Sequence, residues 1–183
     1  MKNLVLLIPL FLGFVACKYQ VNKLENQIPQ ETQFEKFGKY NLLKSDNQID
    51  TVRLRYLLTN TDERIEMTPE EMKNVITEKD EGRPYNEVEY ALFNIIQYRY
   101  FSRLKFEENK VVNTVKNGVE IGIPEDFFQD VNGSIIEMNK MLAKADKETI
   151  KKQFEYLHLL IKNLEDFNSH RYNNNDVVPI SQN

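Results

Sequence analysis

Tryptophan is absent from this 183-residue chain, cysteine occurs once and histidine twice, and glycine and proline reach only six copies each. Each scarcity removes a class of explanation. A single cysteine forms no disulfide within the chain, so stability has to come from packing. Two histidines and one thiol leave little for a zinc or di-iron site, and the few glycines form neither a phosphate-cradling loop nor a Gly-x-Ser-x-Gly nucleophile elbow. No repeat of fixed period is visible, which excludes a solenoid.

What is present begins at the N-terminus. Lys2 precedes an apolar run from Leu4 to Val15, followed by the small residue Ala16 and then by Cys17. About a dozen apolar residues match the core of a secretory signal and fall short of the ~20 that a spanning helix needs. Export is therefore expected, with residues 1–16 as signal peptide. The plain alternative for Cys17 is a stray thiol after an ordinary signal. Phe14-Val15-Ala16-Cys17 resembles the lipobox of bacterial lipoproteins, a resemblance confined to the first 17 residues. It implies cleavage before Cys17 and lipidation of that residue, with acyl chains such as palmitate inserted in the membrane. Each buried methylene contributes ~0.8 kcal/mol, so several chains on one residue anchor stably where one would not.

The chain from Cys17 onward suits one domain with its own core. With Lys2 removed, the 24 basic residues fall to 23 against 28 acidic ones, a net charge of −5. That balance disfavours nucleic acid as a partner. Residues 18–32 are polar and aperiodic and read, with Cys17, as a tether (17–32). Fully extended they reach roughly 50 Å. Residues 173–183, with an Asn-rich start and Pro179, read as a disordered tail.

Residues 33–172 carry mainly helical patterning. Thr68-Pro69-Glu70-Glu71 combines an N-cap hydroxyl, a proline at the first helical position and a glutamate three residues on, a capping box. A helix is expected to start there and end near Glu81–Pro84. The next, from about Asn86, places Val88, Ala91, Leu92, Ile95, Tyr98, Phe101 and Leu104 on one apolar face. It either continues through Val111, Val112 and Val115 to a stop at Gly118, which is preferred, or yields to a hairpin at Asn117-Gly118. Pro124 opens a further helix on Phe127, Phe128, Val131, Ile135, Met138, Leu142 and Ala145. Asp146 caps the last, whose stripe runs through Ile150, Phe154, Leu157, Ile161 and Leu164, with Leu160 and Phe167 widening it. Gln33–Leu43 is a weaker helix. Val52, Leu54, Tyr56 and Leu58 alternate as a strand would, although packing could make this segment helical. The expected fold is mainly α, a single-domain bundle of about five helices with room for a short β element near 52–58 or 111–123.

Signals for chemistry are weak. Glu155-Tyr156-Leu157-His158 has the Glu-x-x-His spacing of di-iron bundles, but Phe167 precedes His170 where a second copy would need glutamate. Surface pairing of His158 with Glu155 or Lys162 is the simpler expectation. Asp46–Asp50 lacks the glycine and distal glutamate of a calcium loop. Neither a metal nor another cofactor is expected, and no catalytic residue is assigned. Tyr98–Lys105 concentrates aromatics and three cations, and Arg99, Tyr100 and Arg103 are expected to project away from the core as partner-binding residues, with Arg83 and Tyr85 as a second group.

These features together suggest a non-catalytic, lipid-anchored protein of the bacterial envelope, on the outer membrane surface, that engages an extracellular protein, with host proteins among the candidates. In type, though not in any binding motif, it is similar to the small helical surface lipoproteins of tick-borne spirochaetes. The alternative is a periplasmic lipoprotein that serves as an immunity or assembly factor for a secreted toxin or partner.

Overall fold

A helix with apolar residues on every side has to lie inside a protein, and the segment Pro84–Phe101 is such a helix. In the computed structural model, which describes residues 37–77 and 84–170, this helix is the centre of the fold. From Glu87 to Phe101 only Tyr90 is exposed, and Ala91, Leu92, Ile95, Ile96 and Tyr100 are completely buried. The described elements are α1 (Thr51–Thr59), α2 (Pro69–Thr77), α3 (Pro84–Phe101), β1 (Leu104–Glu107), β2 (Lys110–Asn113), a 3-10 turn (Val119–Ile121), α4 (Glu125–Leu142) and α5 (Lys147–His170). The fold is thus mainly α, with five described helices and one two-stranded antiparallel sheet. Helices α1, α2 and α5 pack on α3, α1 also touches α5, and α4 meets β2. The signal segment, the tether, residues 33–36 and the tail lie outside the described residues.

Local signals set the helix starts. Glu71 Oε2 accepts from the Thr68 amide at 2.6 Å while the Glu71 amide donates to Thr68 Oγ1 at 3.3 Å, the reciprocal pair of a capping box. The Thr149 amide donates to Asp146 Oδ1 at 2.8 Å and starts α5. That bond holds the Asp146 carboxyl below its usual range. Along α4, Phe127, Phe128, Val131, Ile135, Met138 and Leu142 are all buried, as their spacing requires. Gly133 interrupts neither the helix nor its stripe, although glycine costs about 1 kcal/mol against alanine in a helix interior.

Residues 52–58 are helix, not strand. Asp50 Oδ1 accepts from the amides of Val52 and Arg53 at 3.0 and 3.1 Å, and the buried set is Leu54, Leu57 and Leu58, a helical spacing. Val52, which a strand would place on the buried side with Leu54, is 76 % exposed. The helix expected to run to Leu43 is over by Lys39. Asn41 takes φ +50° there, and Leu43 bridges Ile49 around a turn in which Asn47 has φ +61°.

Beyond Phe101 the chain does not continue as helix to Gly118. It forms a hairpin whose turn is Glu108-Asn109, pairing Phe106 with Val111 and Lys105 with Val112. β-branched Val111 and Val112 suit a pleated surface better than a helix. Thr114 closes the hairpin base, its amide and hydroxyl both donating to the Arg103 carbonyl. The outer edge of β2 is sealed by one side chain of α4. Asn139 Nδ2 donates to the Val111 carbonyl at 2.7 Å and its Oδ1 accepts from the Val111 amide at 2.8 Å. On the other strand Phe106 meets the edge of the Phe154 ring at 5.2 Å and stacks on His158 at 4.0 Å, which ties the hairpin to α5.

Candidate functional site

The stretch Tyr98–Lys105 is where sequence and structure differ most. Arg99 and Tyr100, expected at the surface, are 1 % and 0 % exposed. The correction has a simple cause, since no residue of α3 from Ala91 to Phe101 is exposed and none of that stretch offers Arg99 an outward face. Its guanidinium is spent on backbone. Nη1 donates to the carbonyls of Glu63 (2.8 Å), Gly122 (2.9 Å) and Ile121 (3.4 Å), Nε to Leu57 (3.1 Å), and Nη2 to Asn60 (2.7 Å) and again to Leu57. Three distant stretches, the end of α1, the loop before α2 and the turn before α4, thus converge on one side chain.

Burial lowers the Arg99 pKa to about 10, with the Glu63 charge opposing that shift, so the group remains cationic at neutral pH. The Glu63 carboxylate itself grips Arg53 with two bonds, at 3.0 and 2.5 Å, while Arg53 Nε holds the Tyr40 carbonyl at 2.9 Å. Gly122 makes the clamp possible. Its φ of +62° turns its carbonyl toward Arg99, and a Cβ there would strike the Thr61 carbonyl and come within 2.6 Å of Arg99 Nη1. Tyr100 packs edge-on against Phe101, Phe127 and Phe128, and its hydroxyl donates weakly to Asn132 Oδ1 at 3.5 Å.

Of the other sequence candidates, Arg103 is exposed at the base of the hairpin. Arg83 and Cys17 lie outside the described residues, and Tyr85 falls in the first turn of α3. The spacing Ser102-Arg103-Leu104-Lys105 matches the Ser-x-x-Lys of some acyl-transfer enzymes, which needs one helical turn to bring amine to hydroxyl. Helix α3 ends at Phe101 and Lys105 is on β1, so that turn is not formed. His158 takes the Phe154 carbonyl as its Nδ1 partner at 2.8 Å, in place of the expected Glu155 or Lys162. Among the described residues, no group of three or more His, Cys, Asp or Glu side chains is placed to hold a metal ion. No described helix is long and apolar enough to cross a membrane.

A concave feature lies elsewhere, at a cleft of about 420 Å³ where the start of α2 meets the start of α4. Met67 and Pro124 supply apolar wall, Thr68, Glu71 and Glu125 stand at the two helix starts, and Lys39, Arg64, Glu66 and Asp126 complete the lining. Several of these charges are occupied. Lys39 binds Glu66 at 2.8 Å, which raises the lysine pKa and lowers that of the glutamate. Glu71 holds the Thr68 amide, and Glu125 holds the Gly118 amide at 2.8 Å and Gln129 at 2.6 Å. Arg64 and Asp126 form no side-chain hydrogen bond or ion pair among the described residues, which leaves a cation and an anion available in the same cleft. Sequence reading missed this site because residues 64–68 and 124–126 are far apart in the chain and are joined in the fold by the Arg99 clamp and by the Ile65 amide, which donates to the Gly122 carbonyl at 2.9 Å. Compared with protein-family models, with curated proteins and with solved structures, the chain matches none.

Proposed function

We propose that this chain is an exported, lipid-anchored protein of the bacterial outer surface whose helical domain binds an extracellular protein, without catalysis of its own. The observation that carries this reading is the apolar run Leu4–Val15 ending in Ala16 and the chain's only cysteine. A net charge of −5 after removal of the signal supports a protein partner over a polyanion. Arginine is enriched where protein partners bind, and Arg64, beside Met67 and Pro124 in the cleft, offers a guanidinium with no ion pair among the described residues and an apolar wall next to it.

Three measurements test this. Labelled palmitate should enter the protein and be lost in Cys17→Ala; equal labelling of both forms would remove the anchor. Protease added to intact cells should digest the domain, whereas protection would favour the periplasmic immunity or assembly role. Capture with the chain from Lys18 onward, from serum and from the organism's own secretome, should retain a partner, and Arg64→Ala should weaken it more than Lys162→Ala. Retention of nothing in either would sink the binding role.

A further inference from the structure

Helix α4 turns one face to solvent along Asp126, Gln129, Gly133, Ile136, Glu137 and Lys140. Two features of that face have no use among the described residues. A Cβ at Gly133 would meet no atom within 4 Å and its φ is not positive, so neither a close approach nor a left-handed backbone calls for glycine there. Its neighbours are accounted for, since Asn132 accepts from Tyr100 and Ser134 Oγ donates to the Asp130 carbonyl at 3.0 Å. Glycine in place of alanine lowers the folding equilibrium about fivefold at such a position. One turn further on, Ile136 is 50 % exposed. A bare glycine beside a bare isoleucine is a notch in which a second helix can approach more closely than ordinary side chains allow.

The charges around the notch say which helix fits. Asp126 lies seven residues before Gly133 and Lys140 seven after it. At the helical rise they stand roughly 10 Å to either side of the notch, and seven residues, close to two turns, put both on its face. A second α4 laid antiparallel across a two-fold axis at Gly133 sets Lys140 of each copy opposite Asp126 of the other, with Glu137 opposite Gln129 between them. A parallel arrangement would oppose like charges. Asp126 has no ion pair among the described residues, and Lys140 holds Glu137 at 2.6 Å with donors to spare. We propose that α4 is a homodimerisation face, in which two copies of this chain pack antiparallel through Gly133 and exchange two Asp126–Lys140 ion pairs.

Sedimentation equilibrium of the full-length chain in detergent tests this, with circular dichroism confirming that each variant stays folded. A reversible dimer is expected, weakened about tenfold or more by Asp126→Lys or by Lys140→Asp alone and restored in the double exchange, because symmetry re-forms both pairs. Gly133→Leu should leave only monomer. Gly133→Ala should raise the melting temperature of the dilute chain while weakening the dimer, two effects in opposite directions that a merely tolerated glycine would not produce. A monomer at every concentration overturns the proposal. So does a dimer indifferent to Gly133→Leu, or one that the double exchange fails to restore.

Discussion

Arg99 exposes almost nothing to solvent and holds five carbonyl oxygens, so its worth is set by what its loss would leave unpaired. Breaking a buried charged network costs about 3–5 kcal/mol, a large share of a typical domain's stability. Arg99→Ala is expected to fall in that range by urea denaturation. Arg99→Lys should recover only part, because an ammonium cannot reach three stretches of backbone at once. Its neighbour Tyr100 makes a different prediction. Burial raises the Tyr100 pKa well above the ordinary tyrosine value of 10, so the folded state retains a proton that the unfolded chain gives up. The stability this contributes is complete below about pH 10 and declines as pH rises beyond it. Tyr100→Phe, which loses the 3.5 Å hydrogen bond to Asn132 and the interaction of its hydroxyl with the Asn113 side chain, should stay within about 1 kcal/mol of the parent at pH 7 and show a shallower loss of stability above pH 10. Identical slopes for the two proteins would refute that assignment. Arg99, whose pKa is lowered, acts in the opposite sense over the same interval and is common to both, so the difference between them isolates the tyrosine.

At the scale of elements, the hairpin depends on a side chain from another element. Two short strands are marginal on their own, and Asn139 supplies β2 with what a third strand would, one donor and one acceptor to Val111. Asn139→Ala leaves both Val111 groups without that partner and is expected to cost about 2 kcal/mol, with faster hydrogen exchange concentrated at Val111 and across the hairpin. Exchange that rises evenly over the whole fold would contradict this. The elements legible in the sequence are those whose determinants are local. The capping box at Thr68–Glu71, the Asp146 cap and the stripe of α4 each lie within a few residues of what they specify. The hairpin was legible only in part: β2 reaches into the 111–123 range left open for a β element, but the turn is at Glu108-Asn109 and not at Asn117-Gly118, because Leu104, Val111, Val112 and Val115 can be placed on helical or strand spacings with similar ease and the contacts that decide between them come from Asn139 and Phe154. Alternation at 52–58 misled for the same reason. It counted Val52 and Tyr56, which are exposed, and passed over Leu57, which is buried.

At the scale of the molecule, the buried residues join into one core that includes Phe37 near the start of the described chain and Leu164 near its end. Helix α3 touches all four of the other described helices, α4 through Phe93 and Tyr100, and Arg99 binds the loops between them. Such sharing predicts one cooperative transition. Without tryptophan, tyrosine fluorescence reports tertiary packing and far-ultraviolet dichroism reports the helices, and the two should trace the same urea curve. Separate midpoints would mean that the hairpin and α4 unfold apart from α1, α2 and α5. The cleft and the notch on α4 belong to this scale as well, since each assembles or exposes residues in ways that only the packed molecule specifies.

The sequence by itself determined the class of the fold, most helix starts and the lone Cys17 behind an apolar run, because periodicity, caps and hydrophobic length act over a few residues. Only the tertiary structure decided that residues 104–113 turn back as strands, that Arg64 and Asp126 share a cleft, and that Arg99 and Tyr100 face inward. The physical reason lies in α3. A cation is expected at a helix surface unless something inside the protein can satisfy it, and here five carbonyls, none of them closer than 22 residues along the chain, do so.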